Sequence, residues 1–179
     1  MRTKSIFVLI VMLLIFLPLS LYPIPVMCKH YAHSPVNALV SQSFGHLGHV
    51  GVDYNVSVGT EVRAVMDGIV IRIEDKGLVY GRYLMLLHCD GYMSLYAHLS
   101  RLTVKFGDIV ESEDIIAYSG GDPKDEIDGD GWSSGAHLHF EVRIPGYFDN
   151  NLYNIDPVNY IEMRDAPDIP TYERDKKYG

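Results

Sequence analysis

Two apolar runs, "YLMLLH" and "YMSLYAHLS", stand on either side of Asp90-Gly91. An Asp-Gly pair suits the positive backbone angles of a two-residue turn, so the flanking runs read as antiparallel strands of one hairpin. A lone hairpin is marginal in water, and further strands must cover it. The rest of the chain offers them. "EVRAV" and "DGIVIRIED" read as strands, the second with Ile69, Ile71 and Ile73 on one face. "KFGDIV" is a turn into an edge, and "DIIAYSG" is another short strand. "GHLGHVGVDY" is too rich in glycine for a helix interior. After a long polar loop, "GAHLHFEVR" alternates like a strand, and Asp156-Pro157 opens a short closing segment. No amphipathic helix of ordinary length and no repeat is found. The expected fold is all-β, built from short antiparallel strands.

The N-terminus carries a targeting signal. Arg2 and Lys4 precede the unbroken apolar run "IFVLIVMLLIFL". A typical spanning helix needs about 20 residues, so the run suits the apolar region of a secretory signal, with an uncleaved anchor as the alternative. No small-x-small cleavage site follows, and Met27 before Cys28 does not suit lipidation. The chain beyond Lys29 is therefore expected outside the cytoplasm: secreted, periplasmic or at the envelope. Residues 1–28 read as signal peptide or membrane anchor, 29–37 as linker, 38–165 as the folded domain and 166–179 as a polar tail. The net charge of −8 argues against nucleic-acid binding, which needs a basic surface. Cys28 and Cys89 are the only cysteines. One lies in the proline-bearing stretch 18–36 that leads out of the targeting segment and the other at a strand end, so no structural bridge is expected.

Chemistry concentrates on histidine. Along "GAHLHFEVR", His137, His139, Glu141 and Arg143 share one face of the strand, and Leu138, Phe140 and Val142 share the other. Same-face neighbours are roughly 6–7 Å apart at Cα, close enough to converge on one small object. His49 and Asp53 form His-x-x-x-Asp in a segment that Gly48 and Gly51 let bend sharply. With one imidazole of the His-Leu-His strand they make three protein ligands. Three is the usual number in a catalytic zinc site, where the fourth position is left to water. His98 adds a further imidazole, on the face of its strand that also carries Ser94 and Tyr96. Each histidine alone reads equally well as a surface or hydrogen-bonded core residue.

Together these segments resemble the lysostaphin/LytM-type zinc metallopeptidases, peptidoglycan endopeptidases with a duplicated-hybrid-motif β-fold. The resemblance rests on "SFG", "HVGVD", "GTEVRAVMDGIV", "GYMSLYAHLS", "GDIVESEDIIAYSG" and "SGAHLHFEVR", in the family's order over most of residues 38–160. It implies a zinc metallopeptidase domain over 38–165, with one zinc ion held by His49, Asp53 and His139. His98 and His137 would then be the catalytic pair, peptidoglycan peptides the partner, and an exported wall hydrolase the function. The alternatives are a non-catalytic zinc-binding regulator of another wall hydrolase and a phosphocarrier domain of similar architecture. The intact five-residue set disfavours the first, and the export signal disfavours the second.

Other residues invite a metal role and are not given one. His46 is expected at the surface, His88 as structural, and His30 and His33 as solvated. "EIDGDG", in the loop holding Asp122, Asp125, Glu126, Asp128 and Asp130, partly imitates a calcium loop. Counted from Glu126, its twelfth position is His137 rather than glutamate, so calcium is not expected. The loop is expected to form one wall of a peptide groove. Trp132 within it would either stack on substrate or pin the loop to the sheet.

Overall fold

The hairpin around Asp90-Gly91 lies inside a large antiparallel sheet. The structure, a computed structural model, describes residues 32–124, 131–145 and 152–165, with side chains to residue 163. The strands are β1 (Val40–Gln42), β2 (Val52–Tyr54), β3 (Glu61–Arg63), β4 (Gly68–Gly77), β5 (Gly81–His88), β6 (Met93–Ala97), β7 (Leu99–Leu102), β8 (Ile109–Val110), β9 (Ile115–Ser119), β10 (Leu138–Pro145) and β11 (Leu152–Ile155). Eight form one sheet in the order β1-β2-β10-β6-β5-β4-β8, with β11 also on β10; β3, β9 and β7 form a second. All the pairings are antiparallel. The all-β expectation holds, with one short helix added.

The inner face of the large sheet carries Val52, Leu84, Leu86, Tyr96, Leu138, Phe140 and Val142. These pack with Val62, Leu99, Ile116 and Ala117 of the small sheet in the main core. On the outer face, Tyr83, Met85, Met93, Leu95 and Ala97 form a second, smaller cluster. β6 is thus buried on both faces, and its Ser94–Tyr96 side is a core face. There the Tyr96 hydroxyl accepts the Val65 N–H at 3.0 Å and the Ser94 hydroxyl at 3.1 Å. His88, 2% exposed, donates or accepts at Ser94 Oγ (2.8 Å) and meets the Asp67 carbonyl (2.9 Å), a structural role as expected.

Several expectations need correction. Ile69, Ile71 and Ile73 do not share a face. The β4–β5 register shifts between Val70 and Arg72, so Val70 and Ile73 meet the main core, Ile71 meets the outer cluster, and Ile69 stays partly exposed. A bulge offsets the side-chain alternation by one residue, which composition does not reveal. Packing begins within the stretch read as linker: Ala32 and Val36 are buried, and His33 N–H donates to the Val65 carbonyl. Cys89, expected to be free of a bridge, is disulfide-bonded; the other cysteine of the sequence, Cys28, lies outside the described residues. The closing segment is a helix, α1 (Pro157–Asp165). Asp156 caps it by accepting the Val158 N–H at 3.0 Å, and proline suits the first helical position. Its Tyr160 is fully buried, 5.1 Å from the Tyr92 ring between centroids. The signal peptide or anchor and the polar tail lie outside the described residues, as do residues 125–130 of the acidic loop. No helix among the described residues is long and apolar enough to cross a membrane.

Tyr96→Phe removes the acceptor of a buried N–H, which typically costs about 1–3 kcal/mol. The expected result is a lower urea midpoint at unchanged m-value. An unmoved midpoint would show that the hydroxyl does not support the core.

Candidate metal centre

β2 and β10 pair with Asp53 opposite His139, Val52 opposite Phe140 and Tyr54 opposite Leu138. Alternation therefore sends Val52, Tyr54, Leu138 and Phe140 into the core and Asp53 and His139 outward together. His49 arrives from a short turn, His46–Gly48, with left-handed backbone at Gly45, Leu47 and Gly48. Gly51 lets this segment lie directly on β10. A Cβ there would stand 2.4 Å from the Phe140 carbonyl oxygen, 2.9 Å from Glu141 Cγ and 3.0 Å from His139 Cε1.

Three donor atoms meet as a result. His49 Nε2 is 3.2 Å from Asp53 Oδ1 and 3.1 Å from His139 Nδ1, and His139 Nδ1 is 2.8 Å from Asp53 Oδ1. Ligand atoms about 2.0–2.1 Å from a zinc ion at tetrahedral angles lie roughly 3.3 Å apart. Two imidazoles and one carboxylate at this spacing fit such an ion, and among the described residues this is the group able to hold one. The far ring nitrogens are engaged so as to leave these atoms facing one another. His49 Nδ1 lies 3.3 Å from the Ser43 carbonyl, and His139 Nε2 lies 2.9 Å from Glu141 Oε1.

The two remaining histidines stand alongside. His137, just before β10, donates Nδ1–H to the Gly135 carbonyl at 2.8 Å, and its Nε2 is 3.9 Å from Asp53 Oδ1. The His98 ring lies 4.5 Å from that of His137 and 6.0 Å from that of His139, centroid to centroid. His98 does not reach this place by continuing the alternation of β6, which would send it into the core beside Ser94 and Tyr96. The strand ends at Ala97, and His98 adopts a left-handed φ of 56°. Ala97 and His98 thus both lie on the site side, and Leu99 returns to the core. The shared polar face expected for Ser94, Tyr96 and His98 is corrected accordingly. Left-handed backbone is uncommon outside glycine, although histidine, asparagine and aspartate adopt it more readily than other residues, and it recurs at functional sites. His46 is exposed, as expected. Trp132 is 76% exposed and tied to the β4–β5 turn through its own backbone N–H, which donates to the Val79 carbonyl at 2.9 Å.

Glu141 was not singled out from sequence, although its place two residues after His139 on the same face was the signal. It is fully buried and accepts from His139 and from Arg143 Nε at 2.6 Å. Burial alone would raise its pKa. Hydrogen bonds from His139 and Tyr80 and the charges of Arg143 and His139 outweigh burial and hold it at about 2. The Tyr80 hydroxyl is pushed up to about 12, by burial first and then by its bond to Glu141, so it stays a neutral donor. Asp53 is likewise lowered: burial opposes, but the His139 hydrogen bond and the charges of His139, His137 and His49 prevail. His139 is raised, since its bonds to Asp53 and Glu141 outweigh desolvation.

The family model for peptidase family M23 matches residues 47–157, and the chain belongs to that family. Over 115 residues it is 36% identical to a glycyl-glycine endopeptidase, ALE-1, of Staphylococcus capitis, covering 64% of this chain and 29% of the relative. The catalytic domain of the antimicrobial peptidase lysostaphin from Staphylococcus simulans superposes with a TM-score of 0.54 at 29% identity, covering 74% of this chain and 90% of that one. A zinc-containing peptidase from Vibrio cholerae superposes with a TM-score of 0.56 at 25% identity, covering 78% and 40%. The matches span less than a third of the length of the curated relatives. The lysostaphin/LytM resemblance read from the sequence is thereby established.

Because the folded pKa of Glu141 is depressed from 4.5 to about 2, its contribution to stability is complete above pH 4.5 and fades as the pH falls toward 2. Chelator-treated protein should lose stability over that interval, and Glu141→Gln should flatten the dependence. Equal slopes in urea titrations of the two proteins would contradict the assignment.

Proposed function

We propose that the chain is an exported, zinc-dependent endopeptidase that hydrolyses peptide bonds of bacterial peptidoglycan. The observation that carries this reading is the convergence of His49 Nε2, Asp53 Oδ1 and His139 Nδ1 within about one coordination shell, with two further imidazoles on one flank. In this reading His49, Asp53 and His139 hold one zinc ion, and residues 38–165 form the metallopeptidase domain. The ion, once bound, would polarise the scissile carbonyl and lower the pKa of a coordinated water toward 7. Two neutral imidazoles and one carboxylate leave a net positive centre with such an ion, suited to a developing oxyanion.

The protein's own groups do the rest. His137 has its Nδ1–H fixed on the Gly135 carbonyl. Its Nε2 is the ring nitrogen turned toward the cluster, 3.9 Å from Asp53 Oδ1, and is placed to take the proton of the attacking water. The same nitrogen can then return that proton to the leaving amine. His98, packed against the His137 ring, supplies the second imidazole beside the charge that develops on the carbonyl oxygen. The strained backbone at His98 is consistent with a side chain placed for chemistry rather than for packing.

Substrate and location are supported from three sides. The relatives include a glycyl-glycine endopeptidase and an antimicrobial peptidase. The apolar N-terminal run suits export, with membrane attachment if it is retained. The disulfide at Cys89 suits an oxidising compartment.

Purified protein should carry about one zinc ion per chain and release peptide fragments from isolated peptidoglycan, identified by mass spectrometry. His139→Ala should lose metal and turnover together. His98→Ala should keep its metal and lose roughly 10²–10³-fold in rate, the usual cost of removing one group that stabilises a developing oxyanion. Full activity in His98→Ala would remove it from the mechanism. Bound zinc with no turnover on any wall preparation would point instead to a regulator of another hydrolase.

A further inference from the structure

Asn154 lies on β11 opposite Arg143 of β10, far in sequence from His49 and outside every motif that marks the site. Its side-chain amide nevertheless touches both halves of the donor cluster. Nδ2 donates to the Val50 carbonyl at 2.8 Å and to Glu141 Oε2 at 2.5 Å. Val50 follows His49 directly, and Glu141 holds Nε2 of His139. The two hydrogens of one amide therefore join the loop that carries His49 to the carboxylate behind His139. Arg143 closes the arrangement. Its Nε donates to Glu141 Oε2 at 2.6 Å, and its Nη2 donates to the Tyr80 hydroxyl at 3.0 Å.

We propose that Glu141 and Asn154 act as one clamp that positions His49 and His139 for a shared metal ion; this rests on the zinc reading above. Both are positioning residues, since neither supplies an atom to the donor cluster. Fold stability alone explains the pair poorly. A fully buried carboxylate is costly to desolvate, and buried ion pairs can often be exchanged for apolar side chains without loss of stability. An apolar residue at position 141 could fill the space but could not accept the His139 N–H. That acceptor decides which ring nitrogen faces the cluster and keeps the ring from rotating, the usual service of a carboxylate behind a metal-binding histidine. Asn154 extends the constraint to the second histidine. The His49 loop is otherwise a glycine-rich connection with exposed Leu47 and Val50, and it has little core of its own to hold it. The close approach at Gly51, whose added Cβ would stand 2.9 Å from Glu141 Cγ, lets the loop reach the clamp.

The test is zinc affinity, measured by competition with a chromophoric chelator, together with the melting temperature of the metal-free protein. Glu141→Gln places an amide N–H toward either His139 or Arg143, so it should weaken zinc about 10–100-fold, the range typical of such partners. Asn154→Ala should weaken it several-fold with little change in metal-free melting temperature, because the residue is only half-buried. The double variant should lose less than the product of the two single losses, since both act through one contact. Val142→Ala, on the core face of the same strand, should lower the melting temperature and leave zinc affinity within twofold of wild type. If Glu141→Gln does not fold, Asn154→Ala and Val142→Ala decide the matter. Zinc affinity unchanged in Asn154→Ala, or reduced as much by Val142→Ala as by Glu141→Gln, overturns the clamp while the functional reading stands. A wild-type chain that binds no zinc overturns both.

Discussion

The register between β2 and β10 is the constraint on which the site depends. Asp53 opposite His139 is one step in a ladder whose neighbouring steps, Val52 with Phe140 and Tyr54 with Leu138, are buried in the main core. Side chains alternate with a period of two, so slipping one strand by a residue would place its polar group in the core and its apolar group at the site. The large hydrophobic penalty of such a slip fixes two small polar side chains side by side, although they are 86 residues apart in sequence. The donor cluster is in this sense held by Phe140 and Val52 as much as by its own hydrogen bonds.

Much of this was legible in the sequence because it follows from local periodicity. The Asp90-Gly91 hairpin, the alternation of "HLHFEVR", the edge at Ile109 and Val110, and the grouping of His49 with Asp53 by flanking glycines are all local signals. Periodicity left open which histidine of the strand would join that pair, and the resemblance implied His139; in the structure His139 Nδ1 lies 3.1 Å from His49 Nε2 and 2.8 Å from Asp53 Oδ1. The failures share a cause. Ile69 and His98 were assigned faces by counting in twos, and each count is interrupted, by a bulge after Val70 and by a left-handed residue at His98. Tertiary packing selects such interruptions, and no residue type announces them: a histidine at φ 56° looks in sequence like any other histidine. The helix after Asp156 is not among the expected elements: Asp156-Pro157 marks only a closing segment, and nine residues are too few to show a periodic apolar stripe.

The interruption at His98 has a consequence for how the site is assembled. Were β6 to run straight through, position 98 would point into the main core, where a histidine must be satisfied or stay neutral, and Leu99 would face the site. The single left-handed residue exchanges these two. It puts a leucine into the core, where Leu99 is fully buried, and an imidazole against His137. Backbone hydrogen bonds lock the exchange on both sides: His98 N–H donates to the Tyr80 carbonyl at 2.9 Å, and Gly120 N–H donates to the His98 carbonyl at 2.7 Å. A side chain at 120 would crowd that contact, since its Cβ would stand 3.1 Å from the His98 oxygen and 2.9 Å from Ser100 N. The strained residue is thus overdetermined by its neighbours, the condition under which strain persists in a native state.

Tyr80 connects this region to the other half of the site. Its carbonyl holds the backbone of His98, its ring lies 5.7 Å from that of His139, and its hydroxyl joins the Arg143–Glu141 pair. One residue of the β4–β5 turn therefore touches the backbone of His98, the ring of His139 and the carboxylate behind that ring. The turn itself is exposed at Leu78 and Val79, and its contact with Trp132 is a backbone hydrogen bond, so side chains there are free to vary without disturbing Tyr80. In the proposed peptidase that division would let the rim change with the peptide to be cut, while the residues behind the imidazoles are anchored to the sheet beneath it. Loops placed on a rigid scaffold in this manner commonly carry specificity. Here the scaffold reaches within one residue of the rim, at Tyr80 on one side and at Ser133, whose hydroxyl lies 3.2 Å from His137 Nδ1, on the other.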